Sequence, residues 1–256
     1  MRAPLIILEE AASTQQEARR RLPAGEAGPL WVMARRQSAG HGRQGRRWLS
    51  PQGNLAVSAA LREAAQLARL PQLSFVAALA AHKAARALLM AAGQGAAADA
   101  LALKWPNDLL LFDRKLAGIL LEAEPSPQAA EEGTPVVIGW GVNLARAPRA
   151  DDLRWPAISL ADVGLKVPPE AFLAALRDHF ARWHGLWRAR GFAPVRAAWL
   201  KRAWGLGRPI ALSAGAGERH EGILRGMDAE GALLLEKAPG RVYAFPSGEV
   251  SSLRPA

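Results

Sequence analysis

The chain is predicted to be an α+β protein, a mixed β-sheet packed with helices and followed by a small β-barrel. Three observations carry this expectation. Short apolar runs, two of them joined as a hairpin, fill the region up to Asn143. Two long stretches, Pro71–Met90 and Pro169–Arg190, repeat apolar residues at helical spacing. From Leu206 onward the pattern changes to short alternating strands with glycine turns, as in small barrels. At 256 residues the chain suits one large domain with a small appendage, 1–205 and 206–256.

Taken in order, Leu5–Leu8 reads as a strand. Ser13 or Thr14 then N-caps a helix running to about Leu22, with Glu17 in capping-box position. Proline and glycine break the pattern at Pro23–Pro29, and Leu30–Arg35 is a second strand. Asn54–Leu61 turns Leu55, Val57 and Ala59 to one side and reads as a third. Between these last two lies a long Gly/Arg loop, and loops of that length inside compact domains are usually functional or disordered. Pro71–Met90 is a core helix and Ala91–Ala98 an Ala/Gly linker. Leu101–Lys104 is a strand stopped by Trp105-Pro106-Asn107-Asp108. Leu109–Phe112 and Lys115–Glu122 form a hairpin about a turn at Asp113-Arg114, and Val136–Asn143 is a further strand. Ala145–Ser159 is loop-like, and helices follow at Pro169–Arg190 and Pro194–Arg202. Trp183, Trp187, Trp199 and Trp204 are expected in the core. The closing strands are Pro209–Ser213, Glu221–Met227, Ala232–Glu236, Val242–Phe245 and Val250–Leu253.

Composition narrows the function. Lys and Arg number 33 against 23 Asp and Glu, a surplus of +10 that suits anionic ligands or partners. There is no cysteine, which excludes disulfides, thiolate metal sites and a cysteine nucleophile. The opening residues do not form a signal peptide, and no run of about 18 apolar residues is evident. A cytoplasmic protein without a membrane span is expected.

Four constellations carry chemistry. Ser13-Thr14-Gln15 places hydroxyls at a strand-to-helix turn, where they cap the helix or meet a polar ligand. Gln37-Ser-Ala-Gly-His-Gly-Arg-Gln-Gly-Arg-Arg-Trp48 combines glycines, which bring backbone N–H groups close to a ligand, with arginine forks that match carboxylates and phosphates. Lys104-Trp-Pro-Asn-Asp108 and Arg114-Lys115-Leu-Ala-Gly118-Ile-Leu-Leu-Glu122 set two lysines inside apolar strands, where each needs an anionic ligand or an ion pair. Gly139–Asn143 clears space and ends on an amide.

In this order and combination the four resemble the biotin protein ligases, which attach biotin to a carboxylase carrier. The resemblance extends from about Leu5 to the C-terminus, including the closing barrel with Ser247-Gly248-Glu249. It implies a catalytic domain like that of class II aminoacyl-tRNA synthetases and an Src-homology-3-like barrel. Biotin would meet Ser13, Thr14, Gln15, Gln37, Gly40, His41, Gly42, Arg43, Lys115 and Gly118. ATP and the adenylate would meet Arg46, Trp48, Lys104, Asn107 and Asn143, with Asp108 and Asn107 helping to hold Mg²⁺. Arg43 and Lys115 would neutralise the two anions as biotinyl-5′-AMP forms, before a lysine of the biotin carboxyl carrier protein attacks it. No enzyme nucleophile is then required. Three positions depart from the family pattern: His41 and Gln44 stand where arginines are usual, and Gln15 where asparagine is usual. With the first catalytic strand at Leu5, no N-terminal DNA-binding domain and no repressor function are expected. A lipoate or octanoate ligase and a nucleic-acid clamp built on Arg43–Arg47 are the competing readings. An exposed sheet edge offers a route to a homodimer or to the carrier by strand addition.

Overall fold

The computed structural model describes residues 3–22, 26–124, 129–148, 155–215 and 218–253. The breaks expected at Pro23–Pro29 and Ala145–Ser159 lie partly outside these residues. The chain opens with β1 (Leu5–Ala11), α1 (Thr14–Arg21), β2 (Leu30–Gln37) and β3 (Leu55–Glu63). The long helix α2 (Leu73–Ala91) is followed by the short α3 (Gly95–Asp99). Then come β4 (Leu101–Lys104), β5 (Asp108–Leu111), β6 (Arg114–Ala123), α4 (Ala129–Glu132) and β7 (Thr134–Val142). Helices α5 (Pro169–Arg190) and α6 (Phe192–Leu200) precede β8 (Pro209–Ala214), β9 (Glu218–Met227), β10 (Leu233–Ala238), β11 (Arg241–Phe245) and β12 (Glu249–Ser252).

The first seven strands form a mixed sheet in the order β1-β2-β3-β7-β6-β5-β4, in which only β1 and β2 run parallel. Helices α2, α5 and α6 cover one face. Leu55, Val57, Ala59 and Leu61 of β3 share that core with Trp140, Phe180, Trp187 and Trp199. Trp31 and Trp140 stack there with ring centroids 5.3 Å apart, and Phe180 meets both edge-on. Helix α1 covers part of the opposite face, where Ala18 packs on Val32, Ala60 and Val137. Strand β3 is therefore buried on both faces rather than on one.

Several sequence expectations are corrected. Strand β1 is longer than Leu5–Leu8 because its parallel pairing with β2 continues to Ala11 opposite Gln37. The supposed linker contains α3: Gly93, at φ 71°, ends one helix, and a second turn buries Ala97 and Ala98. The hairpin turn is Phe112-Asp113, one residue earlier than expected. The capping box does not form, because Glu17 binds Arg20 and Arg21 instead. In the C-terminal sheet the order is β11-β10-β9-β8-β12, all antiparallel, with β11 and β12 as its two edges. These five strands form a sheet separate from the first among the described residues. Residues Leu67–Ala91 are long and apolar enough, by length and composition alone, to cross a membrane. Two thirds of that window is buried inside the fold, as suits a core helix.

The same helix buries His82, whose Nδ1 has no hydrogen-bond partner. Burial first, then the positive charges of Arg202, Lys83 and Arg86, push its imidazole down from 6.5 to about 3. The unfolded chain therefore takes up a proton at a pH where the fold does not. Stability is lost as pH falls below 6.5, at about 1.4 kcal/mol per pH unit. Chemical denaturation at about pH 7.5 and about pH 5 is expected to show about 2 kcal/mol more loss for wild type than for His82→Gln. Equal losses would show that the ring is not held neutral.

Candidate active site

The cavity floor is dictated by strand register. Residues directly opposite one another in antiparallel strands point to the same side. Ala56, Gly141, Gly118, Asp108 and Lys104 form one such row across β3, β7, β6, β5 and β4. Ser58, Gly139 and Leu120 form the next. Glycines in the middle of both rows leave a trough, with hydroxyl and apolar groups at one end and an ion cluster at the other. A Cβ on Gly141 would fall 2.3 Å from Trp48 Nε1, so the trough exists to admit the indole that lies in it. The cavity holds about 390 Å³, within the range of small-molecule sites.

At the hydroxyl end, α1 begins inside the cavity. Its Thr14 N–H and hydroxyl both donate to Gln37 Oε1, at 2.9 and 3.2 Å, and the hydroxyl also lies 2.9 Å from Ser58 Oγ. Gln37 thus caps the helix from a neighbouring strand, while Ser13 makes no side-chain cap. Gln15 donates through Nε2 to Glu122 and to the Leu120 carbonyl, which fixes the orientation of its amide. Its Oε1 is then left buried with no partner. A buried acceptor without a donor costs on the order of 1–3 kcal/mol, so this oxygen is poised for a ligand N–H.

The Gly/Arg loop is folded, not open. Gly42 N–H donates to the Arg46 carbonyl and Trp48 N–H to the Gly40 carbonyl, with His41 paired to Arg47. The turn between them places Gln44 and Gly45 at φ 59° and 70°. Arg43 Nη1 donates to the Gly248 carbonyl at 3.1 Å, and Arg46 Nη1 lies 2.9 Å from both carboxylate oxygens of Glu249. Burial, then the charge of Arg46, lowers the Arg43 pKa from its usual value, against the pull of Asp108 and Glu249. His41 lies 3.6 Å from Glu122, which also binds Arg19 and Gln15.

At the ion end, Asp108 is clamped between two lysines, with Lys115 Nζ at 2.6 Å and Lys104 Nζ at 3.1 Å. Burial alone would raise its pKa; attraction and hydrogen bonds from Lys115 and Lys104 outweigh this and hold it at about 2. Lys104 is buried and also donates to the Val250 carbonyl. Lys115 is the more exposed of the two and faces the cavity. Asn107 donates to the Ile119 carbonyl, and Asn143 to the Lys115 carbonyl, so both amides brace the strands that carry the lysine.

All the predicted site residues but one line this cavity. Gly40 sits behind it, where a Cβ would strike Gln37 Nε2, so its part is to let the loop pack on that side chain. Asp108, expected to help hold Mg²⁺, has both oxygens engaged by ammonium groups. No group of three His, Asp or Glu side chains suited to a metal is present among the described residues. The protein side chains therefore do not fit a protein-held metal. Arg43 and Arg46, which the competing reading set in a nucleic-acid clamp, are tied to the C-terminal segment. Sequence reasoning missed Ser58, Trp155 and Glu249 as lining residues. Ser58 was hidden in an apolar strand, and Trp155 in a segment read only as a proline- and arginine-rich loop. Five basic side chains, Arg43, Arg46, Arg47, Lys104 and Lys115, face the cavity against the two acids Asp108 and Glu249. Such an excess selects anions.

A mixed sheet of this kind is shared with a class of ligases. The model of the biotin/lipoate A/B protein ligase family matches residues 11–143, and the chain belongs to that family. It is 44% identical over 248 residues to a biotin--[acetyl-CoA-carboxylase] ligase of Paracoccus denitrificans, covering 95% of this chain and 98% of that one. Its fold is similar to a biotin protein ligase from Aquifex aeolicus in complex with biotin and ATP. The TM-score is 0.78 at 25% identity, over 97% of each chain. A biotin protein ligase from Leishmania major in complex with biotinyl-5-AMP superposes with TM-score 0.63 at 26% identity, over 95% of this chain and 99% of that one.

Proposed function

We propose that the protein is an ATP-dependent biotin protein ligase that forms biotinyl-5′-AMP and transfers biotin to a lysine of a biotin carboxyl carrier domain. The observation that carries this reading is the single cavity in which a neutral hydrogen-bonding end meets an end with surplus positive charge. Biotin has that polarity. Its ureido ring wants donors and acceptors, which Ser13, Thr14, Ser58 and the unpartnered Gln15 Oε1 supply. Its tail lies over the glycine trough against Trp48, and its carboxylate reaches Lys115 and Arg43.

The carboxylate oxygen then attacks the α-phosphorus of ATP, the bond to the bridging oxygen breaks, and pyrophosphate leaves. Two anions must approach each other, so catalysis rests on positioning and on neutralising charge. Lys115 meets the reacting oxygens and Arg43 supports it, while Asp108 holds both lysines in position. Magnesium fits as an ion carried in on the ATP phosphates. In the second step the carrier lysine's neutral amine attacks the acyl carbon, the bond to AMP breaks, and the amine's surplus proton is lost to solvent.

We assign residues 1–205 to the catalytic unit and 206–256 to a unit that closes over it, with cytoplasmic localisation and no specific DNA binding. Strand β1, an edge of the main sheet, is the proposed docking edge for the carrier or a second copy. Incubation with biotin, Mg-ATP and an isolated carrier domain, followed by mass spectrometry, tests the reading. Lipoate in place of biotin is the control. Carrier modified by lipoate and not by biotin would replace this function with the other one in the family.

Arg43→Gly removes the bond that ties the loop to Gly248. Hydrogen bonds to charged groups contribute about 1.5–3 kcal/mol, so the adenylate should dissociate at least about tenfold faster. Bystander lysines should then become biotinylated. Retention equal to wild type would show that this contact does not seal the site.

A further inference from the structure

Asp113 lies outside the cavity, in the two-residue turn between β5 and β6. Both turn residues, Phe112 and Asp113, have positive φ, 49° and 56°. Two-residue turns with that geometry favour Asn-Gly, because a side chain there crowds its own backbone. Phe112 is besides half-exposed, so no core packing rewards it. Strain of this kind persists only where the surroundings hold it.

What surrounds the turn is a pair of tryptophans. The Asp113 carbonyl accepts the indole N–H of Trp155 at 2.8 Å, and its carboxylate Oδ1 accepts that of Trp204 at 2.8 Å. The two indoles meet edge to face, with centroids 5.0 Å apart. Trp155 lines the cavity, and its ring lies 4.6 Å from Lys104 Nζ. The residues after it pair with the lysine strand: Lys115 N–H donates to the Pro156 carbonyl, and Ile158 N–H to the Lys115 carbonyl. Trp204 belongs to the segment joining α6 to the C-terminal sheet, and its N–H donates to the Leu103 carbonyl of β4. One turn thus grips a cavity wall and the chain leading into the C-terminal sheet.

We infer that Asp113 is a positioning residue for the nucleotide half of the reaction, acting through Trp204 and Trp155 on the wall beside Lys104. This rests on the proposed ATP-dependent function. Asp113 touches no ligand. Its carboxylate fixes Trp204, the face of contact with Trp204 fixes Trp155, and Trp155 closes the phosphate-binding end over Lys104.

Biotin-dependent pyrophosphate exchange with Mg-ATP tests the inference. Asp113→Gly removes the carboxylate but keeps the carbonyl and suits the backbone, so the variant folds. Its KM for ATP should rise about fivefold or more, with kcat and the KM for biotin within about twofold, since one charged hydrogen bond is lost. Asp113→Asn keeps the oxygen acceptor and tolerates positive φ, and it should restore the wild-type KM. Trp204→Phe, which lacks the N–H, should match Asp113→Gly, and the double variant should be no worse than either. An unchanged KM for ATP in Asp113→Gly would overturn the inference, as would an Asp113→Asn variant equally impaired or effects that simply add. Exchange absent from the wild-type protein would instead overturn the functional reading, and this inference with it.

Discussion

Lys115→Ala should cut biotin-dependent pyrophosphate exchange by about 100- to 1,000-fold, the range seen when one preorganised charge-stabilising donor is removed. The size follows from its place. Lys115 is the ammonium that faces the cavity, held 2.6 Å from Asp108 by a strand whose carbonyl is braced by Asn143. The fold should suffer far less, by about 1–2 kcal/mol, because Asp108 keeps Lys104 as a partner. Exchange kinetics and chemical denaturation on the same preparation separate the two effects. Near-normal exchange would mean that another cation meets the reacting oxygens. A loss of activity matched by global unfolding would mean that Lys115 is structural.

Asp108→Asn should show the reverse balance, with a stability loss of about 3–5 kcal/mol. The variant leaves Lys104, almost wholly buried, with a neutral amide at position 108, the Val250 carbonyl and the face of Trp155 as its partners. None of them supplies a compensating charge. Replacing the lysine as well, in Lys104→Met with Asp108→Asn, should recover much of the loss, because an apolar side chain needs no partner there. Denaturant midpoints for the four members of that cycle measure the coupling. A double variant no more stable than Asp108→Asn alone would show that burial of the ammonium is not the cost. Acid should act on the same cluster in wild type. The Asp108 carboxyl is held at about 2 against 3.8 in the unfolded chain. Its contribution is therefore complete above that unfolded value and is lost as pH falls through about 2.

The reversed balance expected for these neighbours clarifies the site. Lys104 and Lys115 stand on β4 and β6, the two strands that flank β5, and their residue type is the same. Lys104 is buried and bonded to Val250 whereas Lys115 is more exposed to the cavity, because β4 ends under the C-terminal sheet while β6 runs along the open face. No local pattern distinguishes them. Gln15 and Gln37 make the same point. Both were expected to meet biotin, yet Gln37 Oε1 is consumed in capping α1, whereas Gln15 Oε1 is the acceptor left without a partner.

By itself the sequence determined the α+β class, most strand and helix positions, and the motifs that supply much of the cavity lining; of the four tryptophans expected in the core, Trp187 and Trp199 are buried and Trp183 and Trp204 only partly so. Those properties depend on periodicity, turn chemistry and short motifs, which act over a few residues. Tertiary structure alone decided how those residues are partnered. Arg43, expected at biotin, and Arg46 and Lys104, expected at the nucleotide, also bind Gly248, Glu249 and Val250. These contacts join residues about 150 to 200 positions apart, so no local pattern encodes them. The glycine trough likewise exists only once β3, β7 and β6 come into register. Pairing across a sheet is set by burial over the whole fold, and it turned a list of motifs into a cavity with two chemically distinct ends.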